Sequence, residues 1–481
     1  MDIKTAEKFM EKLVKAGIEY GFEECEASFA QDSSMSIDIL NGEVSSYENS
    51  ATSTLSFRGL KNGQMGYCST NILSDDSIGF LLKSAMENCE VLNDEDPQFI
   101  YCDENNKDLY FSQITDAYAK NTYKRFEELG LGLEKAILAL DERIDAVDIL
   151  SISCGTGPYL IINSKGLHSY RDTDGISLVA SARATDTDGS VKSGGNYWIG
   201  KDIDAFDQEK FLKKFKENLI GKMGAKSVKA GTYKTILRNE AFQQFFMVFF
   251  GNFLATTMQR GLSLLADKEG TVIASDALTV KECPMLEKAL TKIPFDDEGV
   301  LTTEKAIIDH GTFATALYDL KSANKAGRES TGNGFRAGSA VSEMPTNLVV
   351  EAGEKDLDGL MEEVGEGIML TDLSGLHAGV NAISGDFSLL CEGYLIEGGK
   401  KGRPVEQITV AGNFYDVIKS IKSVGNDIIN LPSGEGEFFT PSVFVGELAI
   451  SGDDGENEDG SVAEDGSEGN CDGSGCSDGK E

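Results

Sequence analysis

Between residues 3 and 18 the apolar side chains Ile3, Ala6, Phe9, Met10, Leu13 and Val14 recur every three or four positions, the interval that lines one face of an α-helix. Beyond this helix the period drops to two. Alternating segments around 25–31, 35–40, 43–48, 52–59 and 64–69 have the pattern of half-buried strands. Asn41-Gly42 and Lys61-Asn62-Gly63 between them supply residues that tolerate the left-handed backbone of tight hairpins. Helices are expected at 75–90 and 114–140. Strands follow between 143 and 198, with turns at Ser164-Lys165-Gly166 and Thr173-Asp174-Gly175, and then a helix at 206–222. Residues 224–231 have the character of a linker. A strand at 232–237 and a long apolar helix at 239–258 then open a further unit, with β-prone runs at 405–411 and 443–450 and a helix at 414–422.

Because strands and helices are segregated rather than regularly alternating, the expected class is α+β. Its parts are an antiparallel-sheet-rich amino-terminal region with flanking helices and a β-rich carboxy-terminal domain opened by a long buried helix. The expected units are an amino-terminal α+β domain (1–110), a central α+β domain (111–225), a carboxy-terminal domain (226–450) and an acidic tail (451–481). From residue 453 onward the tail carries eleven acids against Lys480, with Val462, Ala463 and two cysteines as its only mildly apolar residues. Too little surface can be buried there to offset the entropy of ordering, so disorder is expected.

Charge narrows the function. Over 481 residues, 44 Lys+Arg face 80 Asp+Glu, a net −36 that disfavours direct contact with nucleic acid or an anionic membrane. The nine cysteines are odd in number and lack C-x-x-C spacing, as expected of reduced thiols in a cytoplasmic protein. The amino terminus lacks the apolar core of an export signal, and the most apolar run, 245–255, is far shorter than the roughly 20 residues that span a bilayer.

Candidate chemistry is sparse. Only His168, His310 and His377 are available as imidazoles, and none has H-E-x-x-H spacing. Ser388 and Cys391 could act as nucleophiles with His377 if the fold joined them, although no G-x-S-x-G elbow is present in the folded part. Ser330-Thr331-Gly332-Asn333-Gly334-Phe335-Arg336 could form an anion-binding nest with Arg336 as counter-charge, or a structural loop. Asp296-Asp297-Glu298-Gly299 would suit a hard cation, but adjacent acids cannot all face one point, and a turn held by backbone hydrogen bonds is the simpler reading.

Taken in order, these pieces resemble the TldD/PmbA family, described both as modulators of DNA gyrase and as a peptidase system. The matching segments are Asn41-Gly42-Glu43, Phe57-Arg58-Gly59, Arg260-Gly261-Leu262-Ser263, Pro294-Phe295-Asp296-Asp297-Glu298-Gly299, Ser330-Thr331-Gly332-Asn333, Gly385-Asp386-Phe387-Ser388, Gly412-Asn413 and Val424-Gly425-Asn426-Asp427. The resemblance spans about residues 5–450. It implies a division into a zinc-bearing subunit resembling TldD, with H-E-x-x-x-H on the helix opening its carboxy-terminal domain, and a partner resembling PmbA, also called TldE. The stretch here is Asn239-Glu240-Ala241-Phe242-Gln243-Gln244, so amides stand at both histidine positions, and no cysteine lies between Asp427 and Pro441 where the third ligand is implied. Carboxamides are poor zinc donors, and Glu240 without a metal has no polarised water to deprotonate. Asn239 is then expected to be a helix N-cap, with Glu240 complementing the helix dipole.

The expectation is therefore a PmbA/TldE-like subunit with no catalytic residues or metal of its own. It would pair with a zinc-bearing TldD-like metallopeptidase acting on unfolded peptides. Homodimerisation is left open. Asp296, Asp297, Glu298, Asn333, Arg336, Asp386 and Ser388 are the candidates for substrate or interface contacts. The alternatives are a stand-alone hydrolase using carboxylates such as Asp296 and Glu298, or Ser388, and a non-enzymatic regulator of gyrase-associated proteins.

Overall fold

The first helix, α1 (Ile3–Tyr20), turns Ala6, Met10, Leu13, Val14 and Gly17 inward, the stripe its sequence period predicts. In this computed structural model the described residues are 3–92, 96, 98–115, 120–337 and 340–453. The tail expected to be disordered lies outside them from residue 454 onward. After α1 come β1 (Glu24–Leu40), β2 (Glu43–Lys61), β3 (Gln64–Thr70), α2 (Asp75–Val91), β4 (Asp108–Ser112), α3 (Tyr123–Leu138) and β5 (Ile144–Thr156). They are followed by β6 (Tyr159–Asn163), β7 (His168–Asp172), β8 (Asp174–Thr185), β9 (Val191–Gly200) and α4 (Gln208–Leu219). The nine strands form one sheet in the order β4-β7-β6-β1-β5-β8-β9, with β2 and then β3 continuing from β1. Asn41 and Gly42, at φ 56° and 78°, and Asn62 and Gly63, at 51° and 76°, make the two hairpin turns.

Three local expectations change. The segments 25–31 and 35–40 are one strand, because β1 pairs with β2 along its length and, on its other edge, with β6 and then β5, so the polar residues between stay extended. Thr173-Asp174-Gly175 is no hairpin turn: Asp174 starts β8, which pairs with β5 and β9, whereas β7 pairs with β4 and β6. The helix expected at 114–140 runs over Tyr123–Leu138.

A second sheet has the order Gly231–Leu237, Gly367–Ser374, Asp386–Glu397, Lys400–Asn413, Val443–Ser451, Ser423–Val424. Gly231–Leu237 also pairs with Val443–Ser451, so five of these strands close into a ring. The buried helix that opens this region, α5 (Asn239–Phe249), is shorter than expected. It passes into a 3-10 turn at Phe250–Phe253 and a short helix at Ala255–Gln259. Gly251 and Asn252 make the interruption, where the Asn252 amide donates to the Phe249 carbonyl. In the core beneath it Phe249 stacks on Phe414, Phe246 and Phe253 meet Phe414 tilted and edge-on, and Phe245 meets Phe387 edge-on. The fold is α+β, sheet-rich and largely antiparallel. The seven cysteines among the described residues are free thiols. No helix among the described residues is long and apolar enough to cross a membrane.

Candidate functional site

The amino-terminal sheet and the carboxy-terminal ring face each other across a cleft of about 660 Å³. One wall comes from β8, β9 and α4, including Tyr197 and Lys214. The other comes from the start of α5 and the strands of the ring, including Glu240, Gln244 and Tyr394. A cleft between two sheet systems is a usual setting for a ligand, and this one is lined largely by polar and charged side chains, with Tyr197 and Tyr394 as its aromatic rings.

The positions singled out at the start of α5 lie at this cleft, and their amides are committed elsewhere. Arg238, not Asn239, occupies the N-cap position, and it makes no side-chain cap bond. Asn239 is the first helical residue. Its side-chain oxygen accepts from the Glu240 N–H at 3.0 Å and its amide donates to the Asp427 carbonyl at 3.1 Å. Gln244 donates from Nε2 to Asp372 Oδ1 at 2.9 Å and accepts the Leu373 N–H at 2.9 Å. Glu240 sits in the first turn, where a negative charge suits the helix dipole, and pairs with Lys214 at 3.7 Å. Asp427 of Val424-Gly425-Asn426-Asp427 accepts from Ser442 N and Oγ. These are neutral amides locked by hydrogen bonds, and among the described residues no three His, Cys, Asp or Glu side chains gather as a metal-holding group. The donor set at α5 therefore does not fit zinc.

The remaining candidates fall into two places. Asp296, Asp297 and Glu298 are buried where the amino-terminal sheet meets the carboxy-terminal part, and they point three ways. Asp296 Oδ1 accepts the N–H of Glu298 and Val300 and Oδ2 that of Gly334. Asp297 pairs with Arg171 of β7 at 2.7 Å and accepts the Arg336 N–H. Glu298 accepts the Leu320 N–H and lies 3.5 Å from Arg58 of β2. Burial, reinforced by Glu298, pushes Asp296 well above the usual carboxylate range. Burial raises Glu298 to about 7 against the opposing pull of Arg58. Arg336 is not offered to an anion, since its Nη2 donates to Glu26 of β1 at 2.8 Å, and Arg58 binds the same oxygen through Nε and Nη2. Asn333 completes a neighbouring knot with Glu282, Lys305 and Thr331.

The second place is the exposed end of strand Asp386–Glu397. Asp386 accepts from Asn413 Nδ2 and Ser384 Oγ, which hold its carboxyl below its ordinary value, so the Gly385-Asp386 and Gly412-Asn413 segments meet. Ser388 and His377 are both exposed, and no hydrogen bond joins them among the described residues. Burial pushes the Cys391 thiol up to about 12, which keeps it protonated and a poor nucleophile. His168 approaches Glu7 at 2.9 Å and His310 sits in a turn at φ 43°. Residues that carried no signal in the sequence prove central: Glu26 of β1 gathers Arg58 and Arg336, the Tyr159 hydroxyl of β6 donates to the Asp297 carbonyl at 3.0 Å, and Arg171 of β7 pairs with the Asp297 carboxylate.

This α+β architecture, with a cleft at the head of α5 and the Arg58, Asp296-Asp297-Glu298 and Asn333 segments meeting at the seam between its parts, is that of the PmbA/TldD metallopeptidase family, to which the chain belongs. Residues 25–89 match PmbA/TldA metallopeptidase domain 1, 118–230 the central domain and 230–452 the C-terminal domain. Metalloprotease PmbA of Escherichia coli O157:H7 is 26% identical over 464 residues, covering 94% of this chain and 98% of that protein. A Thermotoga maritima structure, of a protein named for modulation of a DNA gyrase, aligns with TM-score 0.82 at 31% identity, over 92% of this chain and 100% of the other. TldE from Thermococcus kodakarensis shares the fold with TM-score 0.82 at 20% identity, over 92% and 100% of the two chains.

Proposed function

We propose that this chain is a PmbA/TldE-like subunit of a cytoplasmic metallopeptidase complex. Its zinc would reside in a TldD-like partner, and the complex would degrade or process unfolded peptides. The observation that supports this reading is the head of α5. At the two positions where the resemblance implies histidine ligands, Asn239 and Gln244 have both amide groups spent on hydrogen bonds to Glu240, Asp427, Asp372 and Leu373. Glu240 lies 3.7 Å from Lys214. The chain would contribute the cleft wall and peptide contacts while the partner supplies the chemistry.

The test is reconstitution. Purified chain is mixed with a TldD-like chain carrying H-E-x-x-x-H, and cleavage of an unstructured peptide is followed together with the zinc content of each subunit. The pair should cleave, and neither chain alone should match it. Glu240→Gln in this chain should change the rate by less than about twofold, whereas the corresponding change in the partner should abolish it. A large loss from Glu240→Gln, or one tightly held zinc in this chain alone, would refute the proposal.

A further inference from the structure

Along half its length β2 is a sheet edge that no other strand covers among the described residues. It pairs with β1 throughout, but on its other side β3 reaches only Leu55–Lys61. Strand alternation fixes which groups are left over. On β1 the Gln31 N–H donates to the Pro158 carbonyl and the Cys25 carbonyl accepts the Ser164 N–H, so its odd-numbered residues face β6 and β5 and its even-numbered ones face β2. The register sets even against even, Ser34 with Ser50 and Asp32 with Thr52. The N–H and C=O groups of Tyr47, Asn49, Ala51 and Ser53 therefore point away from the sheet, and none of them has a hydrogen-bond partner among the described residues.

Other edges of the same sheet are guarded. The Tyr67 carbonyl of β3 accepts from Asn88 Nδ2, and on β9 the Ser193 and Gly195 carbonyls accept from Lys222 Nζ and Asn218 Nδ2. Between Tyr47 and Ser53 there is no such donor, no proline and no lysine, the devices that keep strand edges apart. Residues 47–52 are all exposed. Charge is also low here: Glu48 is the single charged residue within 44–57, in a chain where 26% of residues are charged.

We infer that β2 of a second copy of this chain pairs antiparallel with this edge about a twofold axis at Ser50, joining the two nine-stranded sheets. An antiparallel edge is self-complementary under a twofold axis, because each strand offers the other the same donors and acceptors. The free run itself places the axis. Leu55 is taken by β3, and Ser45 falls where the register of β1 and β2 shifts, so the run is 47–53 and its centre is Ser50. Tyr47 then lies opposite Ser53 of the second copy and Asn49 opposite its Ala51, which uses all four outward residues of each strand. Glu48 meets Thr52, whereas an axis at Glu48 would set two carboxylates opposite each other. Two chains of net charge −36 repel, and a join with one acid per strand keeps that repulsion small where they touch. This pairing does not depend on the peptidase reading.

The experiment is size-exclusion chromatography with light scattering on the full chain alone, from about 1 to about 100 μM, where the mass should rise to twice that of one chain. Ala51→Pro leaves the β1–β2 ladder whole, because the Ala51 N–H does not face β1, but it removes two symmetry-related bonds at the join and puts a ring on the edge. It should raise the dimer dissociation constant at least about tenfold with an unchanged circular dichroism spectrum. Ser50→Cys gives a reading that does not rest on the proline variant. Opposite residues at a position without hydrogen bonds across the join have Cα atoms ~4.5 Å apart, within disulfide range, so mild oxidation should link two copies. The two copies of Thr54→Cys would lie eight residues apart, roughly 26 Å at about 3.3 Å per residue, and should link no more than wild type. A monomer at about 100 μM, a dimer indifferent to Ala51→Pro, or equal linking at positions 50 and 54 would overturn the proposal. A chain that stays monomeric and takes up an added unstructured peptide or a TldD-like chain in a way that Ala51→Pro blocks would also overturn it, because the edge then belongs to another occupant.

Discussion

Replacing Glu26 by Gln removes a buried charge at the seam between the amino-terminal sheet and the carboxy-terminal part. Glu26 is 1% exposed, and its Oε1 accepts from Arg58 at 3.0 and 2.6 Å and from Arg336 at 2.8 Å. The Arg58 and Arg336 side chains are 9% and 8% exposed, and Arg336 Nε and Nη1 have no other hydrogen-bond partner. Gln keeps an acceptor but loses the charge, so each of three charge-assisted bonds weakens by about 1 kcal/mol; Arg336 loses its carboxylate partner and Arg58 keeps only Glu298, 3.5 Å away. The expected destabilisation is about 3–5 kcal/mol, the range seen when one partner of a buried ion pair is removed. The assay is urea denaturation followed by circular dichroism and by fluorescence of Trp198, the single tryptophan, which lies on β9. The triple replacement Glu26→Leu/Arg58→Met/Arg336→Met should recover part of the loss, because it leaves no guanidinium without its carboxylate, although Glu298 loses Arg58 as a neighbour. A loss below about 1 kcal/mol for Glu26→Gln would show that water reaches these guanidinium groups and would refute the reasoning.

The other expectations concern titration, close packing and metal. Glu298 has a folded pKa raised to about 7 by burial, above its unfolded value near 4.5, so its contribution is fully present below about pH 4.5 and is lost as pH rises through 7. Wild type should therefore lose stability relative to Glu298→Gln across that window and run parallel to it above about pH 8; parallel curves throughout would contradict the shift. In Gly66→Ala the new Cβ would lie 1.8 Å from the Ala85 carbonyl oxygen of α2, so a loss of about 2–3 kcal/mol is expected. Gly79→Ala, with nothing within 4 Å, should instead stabilise α2 by up to about 1 kcal/mol, and thermal melts of both variants check the contrast. Asn239→His/Gln244→His should not retain stoichiometric zinc after dialysis, since two imidazoles lack a third ligand and the groups that orient them. Elemental analysis decides the point.

Much of the local architecture is written along the chain. The stripe of α1 and the Asn-Gly turns of the first hairpins arise from interactions among near neighbours, and period and turn chemistry report those directly. The family was legible too, because short motifs persist in order, and the substitution of Asn239 and Gln244 could be read from residue type alone. What the amides do was not legible, since their partners at Asp372 and Asp427 lie 128 and 188 residues away. The length of β1 likewise escaped the pattern, because its polar middle is held extended by strands from elsewhere in the chain. Tertiary structure alone decided that Asp296, Asp297 and Glu298 turn to three different partners, and that Glu26 gathers Arg58 and Arg336. Burial and pairing of charge depend on which distant surfaces close over a residue, and no local period records that.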